Sequence, residues 1–264
     1  MEKLLEAIIL GLIQGIAEWL PVSSTGHLRL AEHFMQLSIP ILFDVTLHIG
    51  TLIVIFIFFR KDIKNILSAL AHIDFKSENG RLIPLIIVGT IPTALIGLVF
   101  SDWIESTFSN ILPIATALIM CGSLLYTSKL ARENTDTITY QTALIFGTAQ
   151  GIAIIPGLSR SGTTIAVALL LGLKREKAFR FSFLLSIPAI IGALGLTLYK
   201  EREALMQTGF GLTEIAAGAI AAMLIGYVAL NLLHRVVENR KFHLFAFYCW
   251  VFGAALLVLG LNGF

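Results

Sequence analysis

The segment Gln14-Gly-Ile-Ala-Glu18-Trp-Leu-Pro21-Val-Ser23-Ser24-Thr25-Gly26-His27 decides how the rest of the chain is read. It continues an apolar run that begins near Leu4, so Glu18 falls where a membrane helix would surround it with hydrocarbon. A carboxylate there costs about 2.5 to 3.5 kcal/mol unless it is paired or hydrated. Gln14 and Glu18 are four positions apart and share one helix face. Pro21 ends this helix, and Ser23 or Ser24 is suited to cap a second one. The free N–H groups of that second helix then point at the tip of a helical hairpin and favour an anion. His27 follows one turn later, within reach of both serines. Gln14, Ser23, Thr25 and Gly26 are candidates to bind the anion.

Composition places this segment in a bilayer. The 264 residues are 56% hydrophobic and 14% charged, with a mean hydropathy of +0.86, whereas a soluble domain carries about 25% charged residues. A net charge of +2 without a basic tract excludes nucleic acid as a partner. The first apolar run contains Gln14, Glu18 and Trp19 with no small-residue cleavage site after it, unlike a signal peptide. Cys121 and Cys249 lie far apart in apolar runs without metal-ligand spacing and read as packing residues. Six stretches are long enough to span: Ile41–Phe59, Leu82–Phe100, Ile111–Thr127, Phe179–Tyr199, Leu212–Leu233 and Leu244–Leu261.

Basic residues orient these spans. Arg60, Lys61, Lys64, Lys76 and Arg81 place the 60–81 loop in the cytoplasm. Lys129 with Arg132, Lys174 with Arg175 and Lys177, and Arg235 with Arg240 and Lys241 place three further loops there. The Ser101–Ser109 loop holds Asp102 and Glu105 without a basic residue and faces outside. The 200–210 loop is ambiguous, because Lys200 and Arg202 alternate with Glu201 and Glu203. Both termini then lie outside.

A second segment repeats the first. Placing Gly11 on Gly147 aligns Gln14-Gly-Ile-Ala17 with Gln150-Gly-Ile-Ala153, Ser23 with Ser159, Thr25 with Ser161 and Gly26 with Gly162. The chain therefore reads as an all-α integral membrane protein, one domain of two repeats, 1–133 and 134–264. Each has a re-entrant hairpin (about 4–35 and 141–173) and three spans. The charge rule brings the hairpins in from opposite sides, an inverted-topology repeat. Irregular hairpin tips are tolerated at that depth only where protein or water satisfies the backbone. Gly11 with Gly15, and Gly147 with Gly151, give each hairpin a small-residue face for close packing.

The second tip reads Pro156-Gly-Leu-Ser159-Arg160-Ser161-Gly162-Thr163-Thr164. Arg160 carries a fork of donors suited to phosphate oxygens. Ser159, Ser161, Gly162 and Thr164 join it as candidate binding residues. Where the two tips meet, two helix N-termini and Arg160 make a positively polarised pocket, suited to a phosphate or diphosphate whose hydrophobic tail stays in lipid. Asp44 and His48, four apart, either orient a catalytic group or hydrate the outer mouth.

The run from Glu18 through Pro21-Val-Ser-Ser-Thr-Gly-His27 resembles the first signature of the undecaprenyl-diphosphate phosphatase family associated with bacitracin resistance, and Pro156-Gly-Leu-Ser-Arg-Ser-Gly162 resembles its second. Length, span count and motif placement fit along essentially the whole chain. The resemblance implies hydrolysis of a polyprenyl diphosphate to the monophosphate carrier of cell-wall assembly. It also implies a plasma-membrane enzyme with its site open to the outer face and a divalent cation, magnesium, as activator. By carry-over the catalytic set is Glu18, Ser24, His27 and Arg160, with Glu18 holding the metal or orienting His27. Either Ser24 attacks phosphorus with His27 as its base, or His27 is the nucleophile. The family has glutamate or glutamine at the position of Gln14, and glutamine leaves Glu18 as the one carboxylate of that pair.

A phosphatidic-acid-type phosphatase would need a histidine where this chain has Ala166. A transporter or flippase for a phosphorylated polyprenyl lipid accounts for the repeat and Arg160, but not for hydroxyls, His27 and Glu18 crowded at one tip. The charge pattern yields a topological prediction. Cysteines introduced at Ser106 and Asn262 label with an impermeant thiol reagent from outside, and one at Ser77 labels only from the cytoplasm. Labelling of position 77 from outside would overturn the inverted repeat.

Overall fold

The computed structural model describes residues 1–201 and 209–263; Arg202 and Glu203 of the ambiguous loop lie outside them. Eleven α-helices follow one another among the described residues. They are α1 (Glu2–Trp19), α2 (Ser24–Met35), α3 (Ile41–Phe58), α4 (Arg60–Ala71), α5 (Leu82–Thr107), α6 (Ile111–Thr127), α7 (Tyr140–Ile152), α8 (Arg160–Leu170), α9 (Arg175–Lys200), α10 (Leu212–Glu238) and α11 (Phe245–Leu261). Short 3₁₀ turns at Ser128–Leu130 and Phe242–Leu244 continue α6 and lead into α11. Six helical segments, α3, α5, α6, α9, α10 and α11, are long and apolar enough to cross a membrane. Their outward faces carry Val99, Leu224 and Val251, all strongly exposed, as lipid-facing surfaces do. The chain is an all-α integral membrane protein.

Three helices outrun the apolar stretches that announce them. Helices α5, α9 and α10 have 26, 26 and 27 residues, about 40 Å each at 1.5 Å per residue, against a hydrocarbon core of about 30 Å. Their surplus turns carry Asp102 and Glu105, Arg175 and Glu176, and Arg235 and Glu238. Charged residues keep helical conformation once they reach the headgroup region, so hydropathy marks the core rather than the helix end. The 60–81 segment, read from its charges as a loop, contains α4. This helix has Arg60, Lys61 and Lys64 in its first turns, while Leu67 and Leu70 remain exposed, the composition of a helix lying on a membrane surface.

The tips break where the sequence says they should. Helix α1 stops at Trp19, and Leu20, preceding Pro21, is extended at φ −67° and ψ 147°. Ser23 caps α2, its Oγ accepting from the Gly26 N–H at 3.4 Å, and Ser24 becomes the first helical residue. Ser23 takes a φ of +67°, left-handed for a residue with a side chain, a conformation that persists only where the surroundings enforce it. In the second tip Gly157 takes φ +101°, and Ser159 caps α8 by accepting from the Gly162 N–H at 3.2 Å.

Each tip-bearing helix lies on a span from the other half. Gly11 packs against Gly218 of α10, and Gly15 follows against Ala222 and Ile225, so α1 runs parallel to α10. Gly147 and Gly151 pack against Gly89 and Ile96 of α5 in the same sense. The Thr93 hydroxyl also donates to Gly147 O at 2.8 Å. Entry and exit of each unit are close together. Asn134 and Thr135 N–H groups donate to Gly172 O at 2.9 and 3.0 Å, while Phe43 at the start of α3 touches Gly218 beside α1.

Ion pairs sort the loops into two ends. Arg180 binds Asp62 at 2.6 Å, Arg175 and Arg240 both bind Glu133 at 3.1 Å, and Lys174 binds Asp136 at 3.2 Å. Lys177 joins Glu78 and holds that carboxyl below its ordinary range, as Lys174 does for Asp136. The four segments rich in basic residues thus share one end. At the other, Lys200 binds Asp102 at 2.9 Å and Lys3 donates to Gly209 O at 3.0 Å.

These contacts leave no room for a methyl group. A Cβ on Gly147 would overlap Gly89 O, whereas one on Gly192 meets nothing within 4 Å. Gly147→Ala is expected to destabilise the fold by about 1 to 3 kcal/mol, the cost of overpacking. Gly192→Ala, which gains helix propensity, should unfold no earlier than wild type. Thermal unfolding in detergent measures both, and an undisturbed Gly147→Ala protein would contradict the packing.

Candidate active site

The two tips touch. A Cβ on Gly162, in the first turn of α8, would press on the ring of Pro21, and the Ser161 hydroxyl donates to Trp19 O at 2.8 Å. Ser159 and Ser161 share a further hydrogen bond at 3.2 Å. Beneath them, the Cys249 thiol donates to Pro21 O at 3.1 Å. Cys121 and Cys249, distant in sequence, come together here, both buried. Their place is in the packing under the first tip.

Across this junction Arg160 donates from Nη2 to Glu18 Oε1. The Glu18 side chain is 7% exposed and that of Arg160 is 24% exposed. The other carboxylate oxygen of Glu18 accepts from Ser24 Oγ at 3.0 Å and from Gln14 Nε2 at 3.2 Å. Gln14 also reaches His48 Nδ1 at 3.1 Å, and His48 Nδ1 lies 3.8 Å from Glu18 Oε2. Asp44 stands behind, 4.0 Å from His48 Nε2 and half-exposed. The Asp44–His48 pair thus reaches Glu18 through Gln14. Gln14 Oε1 is buried without a partner.

His27 is held differently. Its Nδ1 meets the backbone carbonyl of Ser23 at 2.8 Å, and its Nε2 meets Tyr248 Oη at 2.6 Å. The ring stacks on Phe252 with centroids 4.1 Å apart. Ser24 is therefore bonded to Glu18, while both nitrogens of His27 are engaged elsewhere. The i, i+4 spacing correctly joins Gln14 to Glu18, but it carries no sign of the aromatic wall that α11 builds around His27. Tyr248 sits in a uniformly apolar helix with nothing in its flanks to single it out.

Several expected anion ligands serve the fold in this state. Ser23 and Ser159 cap their helices, Ser161 bridges the tips, and Thr164 donates to Arg160 O at 2.9 Å. Gly26 and Gly162 offer N–H groups already taken by those caps. Thr25 lies in the first turn of α2, half-buried, and its N–H is among those a helix leaves free. The Thr163 hydroxyl is buried without a partner. The arrangement thus offers one arginine fork, two helix N-termini, a hydroxyl bonded to a carboxylate, and an imidazole with a defined tautomer.

Comparison with known proteins gives the family. The family model described as bacitracin resistance protein BacA matches residues 7–255. A protein named undecaprenyl-diphosphatase from Methanosphaera stadtmanae is 42% identical, over 98% of this chain and 99% of its own length. Another of that name from Carboxydothermus hydrogenoformans is 43% identical over 98% of each chain. A Bacillus cereus protein named undecaprenyl-diphosphatase 3 is 40% identical over 97% of this chain and 96% of its own. With the two tip motifs intact and the match running nearly end to end, this chain belongs to the BacA bacitracin-resistance family.

Proposed function

We propose that this protein hydrolyses undecaprenyl diphosphate, or a polyprenyl diphosphate like it, to the monophosphate and inorganic phosphate, returning a lipid carrier to cell-wall glycan synthesis. The observation that carries the reading is the junction of Glu18 and Ser24 from one tip with Arg160 from the other. A diphosphate head seated there finds an arginine fork and two helix N-termini, and its isoprenoid chain remains in lipid. Such preorganised positive groups supply the larger share of catalysis in phosphoryl transfer.

In this reading Ser24 Oγ attacks the terminal phosphorus, its proton passes to Glu18 Oε2, to which it is already bonded, and the bond to the bridging oxygen breaks to release the polyprenyl monophosphate. Arg160 exchanges its contact with Glu18 for the phosphoryl oxygens and stabilises their charge. His27, once the Tyr248 hydroxyl has released its Nε2, serves as general base to the water that frees phosphate from Ser24. The other arrangement, with His27 as nucleophile, needs its Nε2 to leave Tyr248. A divalent cation fits the donor set. Glu18 and the unpartnered Oε1 of Gln14 are hard oxygen ligands, few in number, as magnesium takes when phosphates complete its shell. Bound there, the ion would neutralise charge on the diphosphate.

The membrane setting belongs to the same proposal. Residues 1–133 and 134–264 form two repeats of inverted topology, and each α1–α2 and α7–α8 unit is a re-entrant hairpin in the plasma membrane. The site faces outward, because α1, which bears Glu18, starts at the end poor in basic residues. The parallel packing of α1 on α10 and of α7 on α5 supports this. A flippase would use the same framework, but a carboxylate, a hydroxyl bonded to it and an imidazole gather at the first tip, which favours an enzyme.

Phosphate release by the purified protein from polyprenyl diphosphates, with and without chelator, tests the activity directly. Arg160→Lys keeps the charge and loses the fork, so turnover should fall at least about tenfold. Near-normal turnover would make Arg160 a structural anchor. Ser24→Ala and Glu18→Gln remove partners of one hydrogen bond, and groups acting as a unit lose less together than the sum of their separate losses. The double variant should be about as slow as the worse single one. If Ser24→Ala instead shows that behaviour with His27→Ala, and adds simply with Glu18→Gln, the base is His27.

A further inference from the structure

We infer that Tyr248 is a positioning residue for His27, fixing the direction in which the basic nitrogen of the imidazole points. The inference rests on the proposed phosphatase reading for its kinetic consequence and on geometry alone for the contact. A backbone carbonyl can only accept, so the 2.8 Å contact with Ser23 O requires His27 Nδ1 to carry the proton. In the neutral ring Nε2 is then a lone-pair acceptor, and the Tyr248 hydroxyl donates to it at 2.6 Å. The imidazole is therefore held in one tautomer with its basic nitrogen identified.

Two further observations bear on this contact. His27 and Tyr248 both line an apolar groove of about 580 Å³, together with Ile16, Leu20 and Phe245. In such a place water does not readily replace a lost partner, and an unpaired polar nitrogen is costly. The ring planes of His27 and Tyr248 lie within 10° of each other, and Phe252 stacks on both. Aromatic packing thus sets the plane of the imidazole, and the hydroxyl sets its direction within that plane. A tyrosine suits both protonation states. Its hydroxyl must release the Nε2 lone pair before His27 takes a proton, and its oxygen then accepts from Nε2–H with the ring in the same plane. This accounts for a polar atom of α11 aimed at the first tip, in a helix otherwise written in Ala, Val, Leu, Phe, Cys, Gly and Trp.

Tyr248→Phe keeps the ring stack and deletes the hydroxyl. In the full-length protein in detergent, its kcat for polyprenyl diphosphate should fall about five- to tenfold, the range of one neutral hydrogen bond, with KM unchanged. In a His27→Ala background the same change should have no further effect. By ¹⁵N NMR of histidine-labelled protein, with His27 assigned through His27→Ala, wild type should show the Nδ1–H tautomer. In Tyr248→Phe the Nε2 resonance should move towards that of a nitrogen free of hydrogen bonds. Tyr248→Leu removes the stack as well. A loss confined to Tyr248→Leu, or a fall in kcat without movement of the resonance, would reduce Tyr248 to packing and overturn the inference. Should wild type release no phosphate, the proposed reaction fails, while the resonance still decides the contact.

Discussion

The contact between Glu18 and Arg160 is the constraint on which the arrangement depends. Each charge lies on a helical tip surrounded by apolar segments, and neither is tolerable there alone. Removing one member of a buried pair costs about 3 to 5 kcal/mol, because the other is left uncompensated. The pair therefore couples the two halves, since a tip that failed to arrive would strand a charge on the other.

Bringing the tips into contact requires helices to approach more closely than large side chains permit, and the glycine faces supply this. Gly11 and Gly15 on α10, and Gly147 and Gly151 on α5, set backbone against backbone. Each hairpin thus leans on a span of the opposite half, so neither half encloses its own tip. In lipid, where apolar contacts between helices gain little over contacts with acyl chains, such close packing is a principal source of cohesion. The basic segments then cross-link one end through Glu133, Asp62, Glu78 and Asp136.

Much of this was legible in the sequence, for identifiable reasons. Spans follow from hydrocarbon thickness, and tips from Pro21 and Pro156 with serines behind them. The partnership of Gln14 with Glu18 follows from helical spacing. The ends of α5, α9 and α10 did not, because hydropathy falls at the headgroups while the helix goes on. The partners of His27 were also hidden: periodicity relates neighbours along one helix, and Tyr248 lies 221 positions away. Ser24 and His27 sit within one turn of α2, yet spacing cannot say which way a ring points. The Ser23 carbonyl and α11 turn the imidazole away from the pairing that proximity suggested.

The two aligned sequence segments are alike in frame and unlike in side chains. Gln150 occupies the place of Gln14, but Ile154 stands for Glu18, Arg160 for Ser24 and Thr163 for His27. Gln150 makes an ordinary core bond to Thr93 Oγ1 at 3.2 Å, where Gln14 faces Glu18 and His48. A second full set of acid, base and hydroxyl would put two carboxylates at the junction, with no arginine to balance them. Arginine in place of serine at the first helical position of one tip supplies the counter-charge of the other, while both capping serines are kept. The two tips thus meet with a carboxylate and its bonded hydroxyl on one side and the arginine that pairs with the carboxylate on the other.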